Sequence, residues 1–168
     1  MSSTSLTLLF FVGSVVVSLA SGCSSPYQQV GGWCIFVNIT GPVIDPDRPK
    51  TWFRARELCQ ESQGDLVSFD DERKLQAVSE HLDLNFREES EQGWVYWVGA
   101  HRTNGQWQWV NNKPLNLNSN IWLPGEPSTS ATTQQGRLVQ VDKVHGRRYL
   151  VSNDAALRNS PAHICERQ

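Results

Sequence analysis

The chain has 168 residues, 39% of them hydrophobic, and a net charge of −2. That length suits one domain with a core of its own. The near-neutral charge, with no dominant basic patch, excludes nucleic acid as an expected partner. Residues 1–20 carry no charged side chain, and their apolar run ends in Ser18-Leu19-Ala20-Ser21-Gly22. This predicts a secretory signal peptide over residues 1–20, cleaved after Ala20 or Gly22. The run is short for a span of about 20 residues and lacks a basic flank, which argues against a membrane anchor. No later segment is long and apolar enough for membrane insertion, so the expected destination is extracellular.

Gly31-Gly32 followed by Trp33 to Val37 predicts a turn and a strand. Asn38-Ile39-Thr40 is an N-glycosylation acceptor, with Asn38 as the modified residue. Residues 41–50 hold three prolines and read as a loop. Thr51 is placed to cap a helix running to about Gln63, with Trp52, Ala55, Leu58 and Cys59 on one face and Gly64 as its stop. Leu66 to Phe69 reads as a short strand. Asp70 or Asp71 starts a second helix, carrying Leu75, Val78 and Leu82 at spacings of three and four. Glu88 to Gln92 reads as a charged loop. Trp94 to Ala100 predicts a buried strand, and Trp107 to Val110 alternates up to the turn signal Asn111-Asn112.

Residues 113–136 follow neither period; a stretch of that length inside a domain points to a functional loop. Short strands are expected at Leu138–Val141, Tyr149–Val151 and His163–Cys165. Two helices followed by short strands around one long loop make an α+β fold. Seven tryptophans supply large apolar area; Trp97, Trp107 and Trp109 are expected in the core, and Trp122 beneath the loop.

Behind a signal peptide, the four cysteines Cys23, Cys34, Cys59 and Cys165 imply two disulfides, for which three pairings exist. Cys23 with Cys34 would close a small N-terminal hairpin. Cys59 with Cys165 would tie the first helix to the last strand, and a closed loop of ~100 residues contributes on the order of 4–5 kcal/mol in the chain-entropy model.

The polar clusters are Glu126-Pro127-Ser128, inside Trp122 to Ser128, and Asn153-Asp154. Glu126 and Asp154 bring carboxylates, Ser128 a hydroxyl and Asn153 an amide, which are oxygens suited to calcium. The histidines His81, His101, His145 and His163 have no metal-ligand spacing. No Gly-x-Ser-x-Gly elbow, phosphate loop or His-Glu-x-x-His motif is present, so the chain is not expected to be an enzyme.

Taken in order, these motifs resemble the C-type lectin-like domain family in its long form, over residues 23–168. Cys59 to Ser68 resembles the segment around the family's first cysteine, and Trp97-Val98-Gly99-Ala100 its core strand. Gly105 to Trp109 is similar to the next hairpin, and His163-Ile164-Cys165-Glu166 to the closing motif. Glu126-Pro127-Ser128 stands where sugar-binding members carry Glu-Pro-Asn or Gln-Pro-Asp, and Ser152-Asn153-Asp154 at the Trp-Asn-Asp position. The Cys23–Cys34 pairing matches the extra N-terminal disulfide of long-form members.

The resemblance implies two helices flanking small antiparallel sheets, with a long irregular ligand loop. It also implies a secreted, calcium-dependent carbohydrate-binding protein similar to single-domain invertebrate lectins, binding glycans on microbial or cell surfaces in innate immunity. Glu126, Ser128, Asn153 and Asp154 would hold both calcium and sugar, with a cis bond expected at Glu126-Pro127. Glu126 favours mannose-type glycans. Agglutination would require an oligomer, because only one site is present.

Four departures bear on that site. The inner disulfide positions fall on Leu138 and Leu157. Ser128 replaces the amide or acid. A third acidic ligand falls on Gly136, with Gln134 and Gln135 as neutral neighbours. The auxiliary calcium positions fall near Arg102, Asn104, Thr129 and Arg137. With two carboxylates, calcium would be held weakly. The rival expectation is a calcium-independent module that binds a protein, matrix or mineral surface.

Overall fold

The chain enters a β-hairpin, with β1 at Gln28–Val30 and β2 at Trp33–Ile39. Gly31 and Gly32 make the turn at φ of 57° and 98°, a region that side chains with a Cβ disfavour. A computed structural model describes residues 22–39, 51–91, 94–130, 132–140, 148–154 and 162–168. The expected signal peptide, Thr40 of the glycosylation sequence, His145 and Leu157 lie outside the described residues.

Thr51 caps α1, Trp52–Glu61, accepting a hydrogen bond from the Arg54 amide at 3.3 Å. The buried face is Trp52, Ala55 and Cys59, as the spacing predicts. The helix ends two residues early, with Gln63 rather than Gly64 in the left-handed region. Strand β3, Asp65–Leu66, is shorter than expected. Asp71 caps α2, Glu72–Asn85, which buries Val78 and Leu82. A short helix, α3 at Arg87–Glu91, forms where a charged loop is expected; Glu88 and Glu89 in its first turn favour the positive end of the helix dipole.

The remaining strands are β4 (Tyr96–Thr103), β5 (Gln106–Trp109), β6 (Thr133–Gln140), β7 (Arg148–Asp154) and β8 (Ala162–Arg167). They join one sheet in the order β1-β2-β8-β4-β6-β7, with β3 on β8 and β5 on β4. All pairings are antiparallel except β4 with β8. The result is α+β, with one continuous mixed sheet in place of several small ones.

On one face of β4, Tyr96, Val98 and Ala100 join Trp107, Trp109, Leu138 and Leu150 in the larger core. On the other, Trp97 packs with Trp52, Cys59, Leu66 and Cys165 beneath α1. The Trp52 indole donates to the Val98 carbonyl at 2.7 Å, which fixes α1 on the sheet. All four cysteines are paired, Cys23 with Cys34 and Cys59 with Cys165. Among the described residues no helix is long and apolar enough to cross a membrane.

Candidate functional site

The long loop leaves β5 through Asn112, whose φ of 64° suits an asparagine turn. Trp122 lies almost fully buried, edge-on to Trp107 with ring centroids 5.0 Å apart. Its indole donates to the Asn116 carbonyl at 3.2 Å, so it buttresses the loop. The chain then runs beside β7: the Leu150 amide donates to the Ile121 carbonyl at 2.7 Å, and the Leu123 amide to the Leu150 carbonyl at 2.9 Å. Since β7 ends the sheet, the loop covers an edge that would otherwise expose backbone donors and acceptors.

At its end the loop carries a cis Glu126-Pro127 bond, as expected. Glu126 Oε2 accepts from the Ser128 amide at 3.0 Å, from the Ser152 amide at 3.0 Å, and from the Ser152 hydroxyl. The Ser128 amide also donates to Ser152 Oγ at 2.8 Å. Glu126 therefore meets β7 one position before the predicted Asn153-Asp154 pair. Among the described residues its Oε1 accepts no hydrogen bond. Ser128 turns inward to the loop: its Oγ accepts from the Ser130 amide at 3.2 Å and its carbonyl from the Thr133 hydroxyl at 3.2 Å.

Successive strand residues alternate faces, so Asn153 lies opposite to Ser152 in direction. Asn153 pairs across the hairpin with Gln135, and the two are 4% and 3% exposed. Asn153 Nδ2 and Gln135 Oε1 are both buried without a partner among the described residues. Asp154 ends β7 opposite Thr133; its side chain is outside what is described. Gly136, at the expected third-acid position, pairs with Ser152. A Cβ there would stand 2.6 Å from the Ala100 Cβ and 3.0 Å from a Leu150 methyl. The sheet leaves no room for an acid at Gly136, and Gln135 is the neighbour with an unengaged oxygen.

The other departures have structural counterparts. Leu138 is buried in the larger core, occupying with apolar packing one position of the missing disulfide. Arg102 donates to the Ser130 carbonyl at 3.2 Å, so a cation of the protein's own braces the loop near the expected auxiliary positions. Arg137 lies over the Trp97 ring, 5.3 Å from its centroid, and burial lowers its pKa. His163 is fully buried, and burial pushes it down to about 4. Its ring and the sulfurs of Cys59 and Cys165 lie within 4.8 Å of one another, but both sulfurs are in a disulfide and offer no thiolate. His81 is half-buried against Phe86.

Calcium wants six to eight oxygens and binds more tightly as their charge rises. The described groups give one carboxylate with a single unengaged oxygen, a hydroxyl and neutral amides. Such a set fits a weakly held ion. Sequence reading named Gln135 as a neutral neighbour of the absent acid but missed the role of Ser152; the available signal was a serine standing where the related motif has tryptophan.

Comparison with known proteins agrees with this architecture. The family model described as Lectin C-type domain matches residues 48–157, more than half of the chain. Human C-type lectin domain family 4 member K is 25% identical over 123 residues, covering 71% of this chain and 33% of that protein. The chain thus spans about a third of the length of that relative. The C-type lectin domain of murine dendritic cell inhibitory receptor 2, solved with an N-glycan, superposes with a TM-score of 0.63 at 16% identity, covering 86% of this chain and 98% of that one. A calcium-independent type II antifreeze protein gives 0.58 at 20% identity, covering 86% and 93%. At these identities the structural likeness is one of fold. Proteins of this family are binding proteins rather than enzymes, consistent with the expectation for this chain. Its matched motifs, fold and loop together place the chain in the C-type lectin domain family.

Proposed function

We propose that this chain is a secreted carbohydrate-binding protein that recognises glycans on microbial or cell surfaces through the loop end at Glu126, Ser128, Asn153 and Asp154. The observation that carries this reading is the docking of the Glu126-Pro127-Ser128 segment onto β7 immediately before Asn153-Asp154. Two distant polar segments thereby share one end of the domain. Calcium there would coordinate Glu126 Oε1, Ser128 and Asp154 and supply a point of attachment for two adjacent hydroxyls, with Asn153 joining them only by turning away from Gln135. Glu126 favours mannose-type arrangements, with its carboxylate accepting from one hydroxyl while a neutral amide or hydroxyl donates to the other. The ion is weakly held, at or beyond the ~10⁻⁴–10⁻³ M of extracellular modules.

A second reading has its own support. Three donors already occupy Glu126 Oε2. A loop end satisfied in this way also suits a calcium-independent module that binds a protein, matrix or mineral surface. A glycan array probed with calcium and again with chelator separates the two. Glycan signals abolished by chelator support the first reading; binding that resists chelator, or no glycan signal at any calcium concentration, supports the second.

A further inference from the structure

We infer that Ser152 is the positioning residue of the ligand loop, and that its hydroxyl orders the loop end without a metal ion. The inference rests on the same loop being the ligand site, but its geometry is independent of which ligand is bound. Ser152 Oγ touches two loop groups: it accepts from the Ser128 amide at 2.8 Å and hydrogen-bonds Glu126 Oε2. A carboxylate only accepts, so the hydroxyl proton points to Glu126. One hydroxyl therefore uses a donor and an acceptor function on the two residues that flank Pro127. The Ser152 amide adds a third tie at 3.0 Å. Hydrogen bonds to an ionised acceptor are about twice as strong as neutral ones, and these are half-buried.

The consequence concerns Glu126. A metal ligand must leave its oxygens open, and here Oε2 is closed by protein donors. The carboxylate is spent in part as a structural acceptor, with Oε1 remaining for a ligand hydroxyl or a cation. The surroundings reinforce this. The same loop is tied to Leu150 by two backbone bonds, and Ser130 is held by Arg102. Tryptophan, which the related motif carries at this position, has an indole that donates but cannot accept, so it could not make both contacts. Serine at 152 is thus the residue through which this loop is organised by the protein itself.

Amide hydrogen exchange on the intact chain tests this at Ser128 and Ser152, whose amides are the donors in question. In the wild type, protection at both should survive chelator, falling by no more than about sixfold from its value at ~5 mM calcium, the factor for an ion held at ~1 mM. In Ser152→Ala it should fall about tenfold or more at Ser128, the scale of one lost hydrogen bond to a charged group. Ser152→Thr, which retains the hydroxyl, should keep wild-type protection. Glu126→Gln, which keeps an acceptor but not the charge, should lose a smaller factor of a few. The inference is overturned if chelator alone strips protection from the wild type, or if Ser152→Ala exchanges like the wild type. Absence of glycan binding on an array would sink the lectin reading and leave the exchange result unaffected.

Discussion

The two edges of the sheet are closed by different chemistry. On the β1–β2 side, Cys23 is bonded to Cys34, and on the adjoining interior strand β8 Cys165 is bonded to Cys59, 106 residues away in sequence. Beside them the Lys74 ammonium reaches Glu166 at 2.6 Å, and Glu166 also accepts from the Ser68 amide at 3.0 Å. At the β7 edge the ties seen among the described residues are non-covalent: Leu123 and Ile121 to Leu150, Glu126 and Ser128 to Ser152, and the Arg148 guanidinium to Asp83 at 2.8 Å and to the Ser79 carbonyl at 2.9 Å. A covalent bridge over a long loop acts on the unfolded chain and so on global stability. Hydrogen bonds over a surface loop act mainly on local opening. The first edge sets whether the domain folds; the second sets whether its ligand loop keeps its shape.

Breaking the first edge should give the largest effect. Replacing Cys59 and Cys165 together by alanine is expected to cost on the order of 4–5 kcal/mol, and replacing Cys23 and Cys34 roughly 3 kcal/mol, from the lengths of the loops they close. Urea denaturation of the two double variants checks the order. A larger loss from the N-terminal pair would show that loop length does not govern this edge.

Acid probes the same region. Among the described residues neither ring nitrogen of His163 has a hydrogen-bond partner, and its burial holds it near 4 against an ordinary 6.5. The unfolded chain therefore takes up a proton that the folded chain refuses. Stability is fully present above about pH 6.5 and declines as pH falls towards 4, by about 3 kcal/mol over the whole window. His101, lowered by burial first, acts in the same direction. Unfolding free energies from urea denaturation at pH 7 and pH 4.5 should differ by roughly 2–3 kcal/mol in the wild type. His163→Leu should remove most of that difference, and an unchanged pH dependence in this variant would assign the acid limb to other groups.

The β7 edge can be tested through its packing. Gly136→Asp would restore a carboxylate where the resemblance expects one, but its Cβ would press on Ala100. The expected outcome is a loss of about 1–3 kcal/mol, the range for overpacking, with no gain in calcium affinity by titration. Tight calcium binding by this variant would mean that the sheet yields at Gly136.

The first edge was more legible in the sequence than the second. Cysteine positions, the Thr51 cap and the Leu75-Val78-Leu82 spacing are local signals, and local signals survive without knowledge of the fold. The short helix at Arg87–Glu91 escaped because its charged run has no apolar face to reveal it. At the loop, the residue types of Glu126, Ser128 and Asn153 were readable, but their directions were not. Strand register decides that Ser152 faces Glu126 while Asn153 faces Gln135, and a shift of one residue would exchange them. Register is a property of the paired strands and left no mark within either segment alone.

Calcium should give the smallest effect, and that smallness is what the comparison predicts. An ion held at ~1 mM contributes about 1 kcal/mol at ~5 mM, by mass action on the folded state alone. For a domain of this size that is a rise of about 2–4 °C in melting temperature. Thermal melts with calcium and with chelator measure it directly. A rise several times larger would require micromolar affinity, hence more charge than Glu126 and Asp154 provide. It would also require Glu126 to give up the Ser152 hydroxyl in favour of the ion. The β7 edge would then be closed by a metal rather than by a serine.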